Sequence, residues 1–318
     1  MSFPSLIIDN LKTYYETRMG VVKAVDGVSF QIGMGEAFGL AGESGCGKTT
    51  IALSIMRLLP KNGRIICGKI LFKGVNLIDT SLNEMNKIRW KRISMIFQGA
   101  MNSLNPVHKV GDQIAEAIVT HDGLEKKEAL EKAGKLMEVV GLPADVVNKY
   151  PHELSGGMKQ RAIIAMALSC NPELIIADEP TTALDVIVQA QILKLISELR
   201  SKLGLSLMLI THDLSIISEL CSKIAIMYAG KIVEIGDIKN ICRNPLHPYT
   251  KGLINAFPSI REERKKLSYI PGSPPDLLNP PPGCRFHLRC SEVMNVCREE
   301  EPKLVKVNNT FVACHLYD

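Results

Sequence analysis

The sequence predicts an α/β fold: buried strands carrying a phosphate-binding loop, an antiparallel sheet ahead of them, a helical insertion and a small cysteine-bearing tail. Three observations predict it. First, Gly42-Glu43-Ser44-Gly45-Cys46-Gly47-Lys48-Thr49-Thr50 fits G-x-x-x-x-G-K-[ST], between a short apolar strand (residues 36–41) and a helix start (51–59). Second, apolar strands recur at 93–97, 173–178 and 206–210. Third, residues 108–170 switch to helical periodicity.

The chain's 318 residues suffice for one large or two smaller domains. Hydrophobic residues at 46% and charged residues at 22% are an ordinary globular balance. A net charge of +5 suits phosphate-bearing ligands or an anionic membrane surface, and by itself does not indicate nucleic acid. No apolar run reaches the ~18–20 residues that span a bilayer. The first residues, Met-Ser-Phe-Pro-Ser, lack the basic region and apolar core of a signal peptide. A cytosolic chain without disulfides is expected, so its nine cysteines need another account.

In chain order, residues 5–9 and 21–32 alternate like strands, with turn signals at Arg18-Met19-Gly20 and Asp26-Gly27. Tyr14 and Tyr15 fall between them, either packing a half-buried sheet or offering a flat face to a purine. Residues 63–79 continue as strand, turn and strand. An amphipathic helix covers 82–91, and Gln98 ends the strand at 93–97. Helical periodicity fills 110–121, 125–140 and 155–169, with Gly141-Leu142-Pro143 and Tyr150-Pro151-His152 separating the last two. A helix at 186–203 separates the strands at 173–178 and 206–210, and strands at 223–228 and 231–234 follow. Beyond Asp237, prolines break up regular structure. Residues 237–253 are helical in parts, 261–266 form a charged connector, and a tail begins near residue 269.

The chemistry concentrates at strand ends. Gly42, Gly45 and Gly47 let the loop wrap closely and aim its N–H groups inward, with Ser44, Cys46 and Thr50 in the same turn. The next helix presents its positive end to phosphates. Lys48 would reach the β- and γ-phosphates of a nucleotide, and the Thr49 hydroxyl would ligand Mg²⁺. Cys46 reads as a tolerated small residue rather than a redox switch. The strand at 174–178 ends in Asp178, which would hold the Mg²⁺ shell, and Glu179, which would polarise an attacking water. Ser155-Gly156-Gly157 opens a helix and forms a second phosphate-binding N-terminus. One chain cannot easily bring both to one nucleotide, so a head-to-tail dimer is the economical arrangement. His212, between a strand and a helix, could reach the γ-phosphate; its bland alternative is a helix N-terminal histidine beside Asp213.

These motifs, in this order over residues 5–237, resemble the ATP-binding cassette (ABC) ATPases. The resemblance implies a RecA-like P-loop ATPase core using ATP and Mg²⁺. Tyr15 then matches the aromatic that stacks on adenine, residues 42–50 the Walker A motif, and Leu154 to Met158 the signature. Residues 174–179 match Walker B with Glu179 as catalytic carboxylate, Ala183-Leu184-Asp185 the D-loop, and His212 the switch histidine. Gln98 matches the Q-loop, sensing Mg²⁺ and the attacking water. Met158 departs from the Gln most common at its place, where backbone amides and Ser155 do the binding.

A closer similarity is to the ATPase subunits of oligopeptide and dipeptide importers. It is carried by Ser103-Leu104-Asn105-Pro106, by Tyr150-Pro151-His152-Glu153 before the signature, by Asn244-Pro245-Leu246-His247-Pro248-Tyr249-Thr250, and by Ile270-Pro271-Gly272-Ser273-Pro274-Pro275 before Gly283-Cys284. It implies an ABC ATPase domain over 1–250, with the helical subdomain at about 100–170, and an importer-type tail over 251–318. It also implies a peripheral place on the cytoplasmic face of the membrane. The partners would be a second ABC ATPase subunit, identical or homologous, two transmembrane permease subunits and, indirectly, an extracellular solute-binding protein. Another solute, such as oligosaccharides or metal chelates, is the first alternative. A soluble DNA- or ribosome-linked cassette ATPase and a non-hydrolysing nucleotide sensor are further ones.

Cys284, Cys290, Cys297 and Cys314 are spaced C-x₅-C-x₆-C-x₁₆-C in a segment with little apolar content. Such a segment is expected to need a metal staple. Zinc's usual short knuckles are absent, whereas an iron–sulfur cluster tolerates wider spacing. The importer resemblance favours [4Fe–4S], with zinc or unligated thiols as alternatives.

Overall fold

The computed structural model describes residues 4–256 and 270–318. The charged connector expected at 261–266 lies outside the described residues. The elements in order are β1 (Pro4–Thr17), β2 (Gly20–Gly33), β3 (Ala37–Ala41), α1 (Lys48–Met56), β4 (Gly63–Phe72), β5 (Val75–Asn76), α2 (Leu82–Ile88) and β6 (Ile93–Ile96). The helical region holds α3 (Val110–Asp122), α4 (Lys126–Val139) and α5 (Gly156–Leu168). Then come β7 (Leu174–Asp178), α6 (Val186–Leu203), β8 (Ser206–Thr211), α7 (Leu214–Leu220), β9 (Lys223–Tyr228), β10 (Lys231–Asp237), α8 (Ile238–Arg243) and α9 (Pro248–Ala256). The tail carries β11 (Leu304–Val307) and β12 (Thr310–Ala313).

Two sheets result. An antiparallel sheet runs β2-β1-β4-β5, and the main sheet runs β11-β12-β10-β9-β3-β8-β7-β6. Within the main sheet β6, β7, β8, β3 and β9 are parallel, joined by helical crossovers. Their strands are near-continuous apolar runs because both faces are covered. In β8 the alternation is visible: Leu207 and Leu209 face the core shared with α3, α5 and α6, while Met208 and Ile210 face the core shared with the antiparallel sheet and α1. Phe38 on β3 is fully buried and stacks on Phe30 of β2, with centroids 5.0 Å apart. A burial of that kind contributes about 1.5–3 kcal/mol.

Tyr14 and Tyr15 lie inside β1, which runs on past the short strand expected at 5–9. The helix expected over 82–91 stops at Ile88, where Arg89 turns into a bridge with Ile93.

The tail departs most from expectation. It adds a hairpin to the main sheet, with β12 pairing antiparallel to β10 through Glu234–Val312 and Ile235–Phe311. Arg285 pairs with Asp26 of β2, and Phe286 packs against Tyr228 and Tyr249 at centroid distances of 5.1 and 5.3 Å. The expected metal staple is corrected accordingly. Among the described residues no group of three or more His, Cys, Asp or Glu side chains could hold a metal ion, which supports neither zinc nor an iron–sulfur cluster. Cys284, Cys290, Cys297 and Cys314 are free thiols. Burial, reinforced by the other three cysteines nearby, pushes the Cys284 thiol up to about 11. The tail is held by sheet pairing, ion pairing and aromatic packing onto the body of the protein.

Candidate nucleotide site

Register places the candidate residues along one edge. Ala41 at the end of β3 pairs with Thr211 at the end of β8, and Asp178 at the end of β7 pairs with Ile210. Ile96 at the end of β6 pairs with Ala177. The loop after β3, Glu179, His212 and Gln98 therefore all leave the carboxyl ends of neighbouring strands, where open α/β sheets bind ligands.

The loop over residues 42–47 needs its glycines. Gly42 has φ +151° and a Cβ there would lie 2.1 Å from the Met227 carbonyl oxygen. Gly47 has φ +106° and a Cβ would lie 2.1 Å from the Ala24 carbonyl oxygen. Lys48 is buried, and its Nζ donates to the carbonyls of Gly42 (2.7 Å) and Glu43 (3.0 Å). The Cys46 Sγ lies 3.5 Å from that ammonium, and burial pushes its thiol up despite the nearby charge. The Tyr15 hydroxyl is 3.2 Å from Thr50 Oγ1.

A cleft of about 310 Å³ brings together Tyr15, Ser44, Gly45, Gly47, Lys48, Thr49, Thr50, Gln98, Asp178 and Glu179. Val22, Ala24 and Leu277 complete its lining. Asp178 is 1% exposed, and neither carboxylate oxygen has a hydrogen-bond partner. Burial and the adjacent Glu179 push its carboxyl up, and the nearby Thr49 side chain opposes the rise without meeting hydrogen-bond geometry. A buried acceptor pair left without a donor, facing a phosphate loop and a threonine hydroxyl, fits the coordination shell of a hard divalent cation such as Mg²⁺.

Glu179 follows at φ +46°, a left-handed conformation strained for a non-glycine residue. Its Oε2 accepts from Gln98 Nε2 and Thr182 Oγ1, each at 3.0 Å. His212 Nδ1 lies 3.0 Å from Oε1, which makes Nδ1 the protonated nitrogen. Burial pushes the Glu179 carboxyl up, but the hydrogen bonds from His212 and Thr182 and the charges of His212 and Lys48 outweigh it and hold the group below the usual range. Glu179 is thus an ionised carboxylate beside the phosphate loop.

Ser155, Gly156 and Gly157 are not part of this cleft. Ser155 caps α5 by accepting from Met158 N at 3.3 Å, and Asp185 caps α6 by accepting from Val188 N at 2.9 Å. These four residues share a separate surface groove with Ala183 and Leu184. Sequence reasoning missed Glu43, Thr182, Tyr249, Leu277 and Arg289 around the cleft. Glu43, inside the phosphate-loop motif, and Thr182, three residues beyond Glu179, had a local signal; the others belong to contacts without one.

A phosphate loop, a buried acidic strand end and a carboxylate–histidine pair on one edge of parallel strands define a P-loop nucleotide-binding protein. By sequence the chain belongs to the ABC transporter family. Residues 25–182 match the family described as ABC transporter, and residues 233–297 match the family described as oligopeptide/dipeptide transporter, C-terminal region. It is 48% identical over 306 residues to a probable peptide ABC transporter ATP-binding protein, y4tR, of Sinorhizobium fredii, covering 95% of this chain and 91% of that one. It is 46% identical over 317 residues to the dipeptide transport ATP-binding protein DppD of Bacillus subtilis, covering 98% and 95%. Its fold is similar to that of the ATP-binding cassette MJ0796 in a dimeric post-hydrolysis state with ADP and Pi, at 26% identity and TM-score 0.66 over 73% of this chain and 98% of that one.

Proposed function

We propose that this chain is the ATP-hydrolysing subunit of an importer of dipeptides or oligopeptides, acting as one of two cassettes paired head to tail. The observation that carries this reading is the split site. The phosphate-loop cleft and the Ser155-Gly156-Gly157 groove are two separate surfaces of one chain. A facing subunit, identical or homologous, would close the second over the first. The dimeric state of the similar cassette MJ0796 supports that arrangement. The peptide cargo is supported by the names of the relatives and by the match of the C-terminal region. No helix among the described residues is long and apolar enough to cross a membrane. Movement of a solute would therefore need permease subunits, which this chain would drive from the cytoplasmic face.

In the proposed reaction Tyr15 stacks on the adenine, and the loop amides with Lys48 hold the β- and γ-phosphates. Thr49, Asp178 and Gln98 would hold Mg²⁺, which would neutralise charge developing between the phosphates. Glu179 binds the attacking water and takes its proton, and His212 holds Glu179 in place and reaches the γ-phosphate. Since Gln98, Thr182 and His212 already occupy the Glu179 carboxylate, one of them must yield for water to bind. The ATPase domain is proposed to span 1–250 and the tail 251–318. No step of the proposed reaction runs through a metal in the tail.

The test is uptake. Cells lacking the chain should lose uptake of a labelled dipeptide or short peptide. Wild type should restore it and Glu179→Gln should not. Uptake that persists without the chain would overturn the peptide assignment, and loss of sugar uptake instead would move the cargo to another class.

A further inference from the structure

We infer that the C-terminal tail is a working part of the nucleotide site: Arg289 is a positioning residue that braces and charge-neutralises Glu43 of the phosphate loop. The inference rests on the ATP-binding reading above and deepens it. Glu43 is the second residue of the loop; its side chain lies outside the lining of the cleft, and its carboxylate adds negative charge to the segment that would receive a triphosphate. Arg289 answers it with a two-pronged pair, Nη1 to Oε2 at 2.7 Å and Nη2 to Oε1 at 3.0 Å. The Arg289 side chain is 5% exposed. Its Nε donates to the Pro271 carbonyl at 2.7 Å, and its guanidinium lies 5.7 Å from the Tyr228 ring centroid. The fork is therefore aimed before Glu43 is considered.

The backbone of Glu43 is tied down as well. Its N–H donates to the hydroxyl of fully buried Tyr249 at 2.9 Å, and Tyr249 packs against Tyr228 and Phe286. The Glu43 carbonyl in turn accepts from Lys48 Nζ. A continuous chain of contacts thus runs from the tail through Glu43 to the lysine that would meet the phosphates. Leu277 of the tail lines the cleft itself, as Tyr15 does, and its carbonyl accepts from Lys23 N at 2.9 Å. The tail thus meets the site region twice, at Glu43 and at Leu277. This gives the segment a role in the ATP reaction that needs no metal and no contact with cargo.

A double-mutant cycle tests it, reading Mg-ATP affinity of the purified full chain by displacement of a fluorescent nucleotide, with thermal melts on every variant. Arg289→Met leaves an unpaired carboxylate on the phosphate loop and should weaken Mg-ATP binding about tenfold. Arg289→Lys, which keeps the charge and loses the fork, should fall between. The double variant Arg289→Met, Glu43→Gln, which removes the unpaired carboxylate, should recover to within about threefold of wild type. A merely structural role would lower the melting temperature without this rescue. Unchanged affinity in Arg289→Met, or losses that multiply in the double variant, would overturn the inference. If Arg289→Met does not fold, Arg289→Lys decides, alone and combined with Glu43→Gln: a wild-type affinity in Arg289→Lys, or no recovery when Glu43→Gln is added to it, would overturn it. Failure of wild type itself to bind ATP would sink the parent reading, a result distinct from any of these.

Discussion

Glu179→Gln should lower ATP hydrolysis by about 10²–10⁴-fold while leaving ATP bound. The size of the effect follows from the environment. Glu179 is the carboxylate in the cleft that its partners hold ionised, and it sits at the strand end beside the phosphate loop. The amide keeps the length of the side chain and an oxygen for Gln98 and Thr182, but it cannot take a proton from water. Lys48, Thr49 and the loop amides are untouched, so binding energy survives when chemistry does not. Single-turnover assays on the chain assembled with its partner subunits would show the nucleotide retained as ATP. Cleavage at the wild-type rate would remove Glu179 from the role proposed for it.

Lys48→Ala should have the second largest effect, and on binding rather than turnover. The ammonium is buried and already organised by two loop carbonyls, so its position is prepared before any ligand arrives. Charge-assisted contacts of this kind are worth roughly 1.5–3 kcal/mol each, and two of them to a triphosphate amount to a loss of about 10²-fold or more in affinity. Titration with a fluorescent ATP analogue measures it, with circular dichroism to show that the fold persists. An affinity within threefold of wild type would mean that the loop does not hold the phosphates through Lys48.

The architecture and most of the cleft were legible because their signals are local. A glycine-rich loop between a strand and a helix, or two carboxylates after a buried strand, can be read within ten residues. Register then does what sequence reading cannot: it sets Ala41, Asp178 and Thr211 side by side from three distant segments. The tail was the part least legible. Its hairpin is short, lies in a proline-rich and weakly apolar segment, and turns at Asn308-Asn309, with Asn308 at φ +54°. That Asn pair between two tetrapeptides rich in β-branched and aromatic residues was the available signal. A tail that had to hold itself together would need a metal staple. In the structure it leans on β10, Asp26 and Glu43 instead. The Arg289–Glu43 pair joins residues 246 positions apart and has no local signature.

The central claim is that this strand edge holds a magnesium nucleotide, with Asp178 facing the metal. Equilibrium binding of ATP to the purified chain, with and without Mg²⁺, tests it most directly when wild type is compared with Asp178→Asn. The orphaned buried carboxylate predicts one saturable nucleotide per chain, bound more tightly with Mg²⁺, and an Mg²⁺ effect that vanishes in the variant. Absence of saturable binding, or an Mg²⁺ effect as large in Asp178→Asn as in wild type, would contradict it.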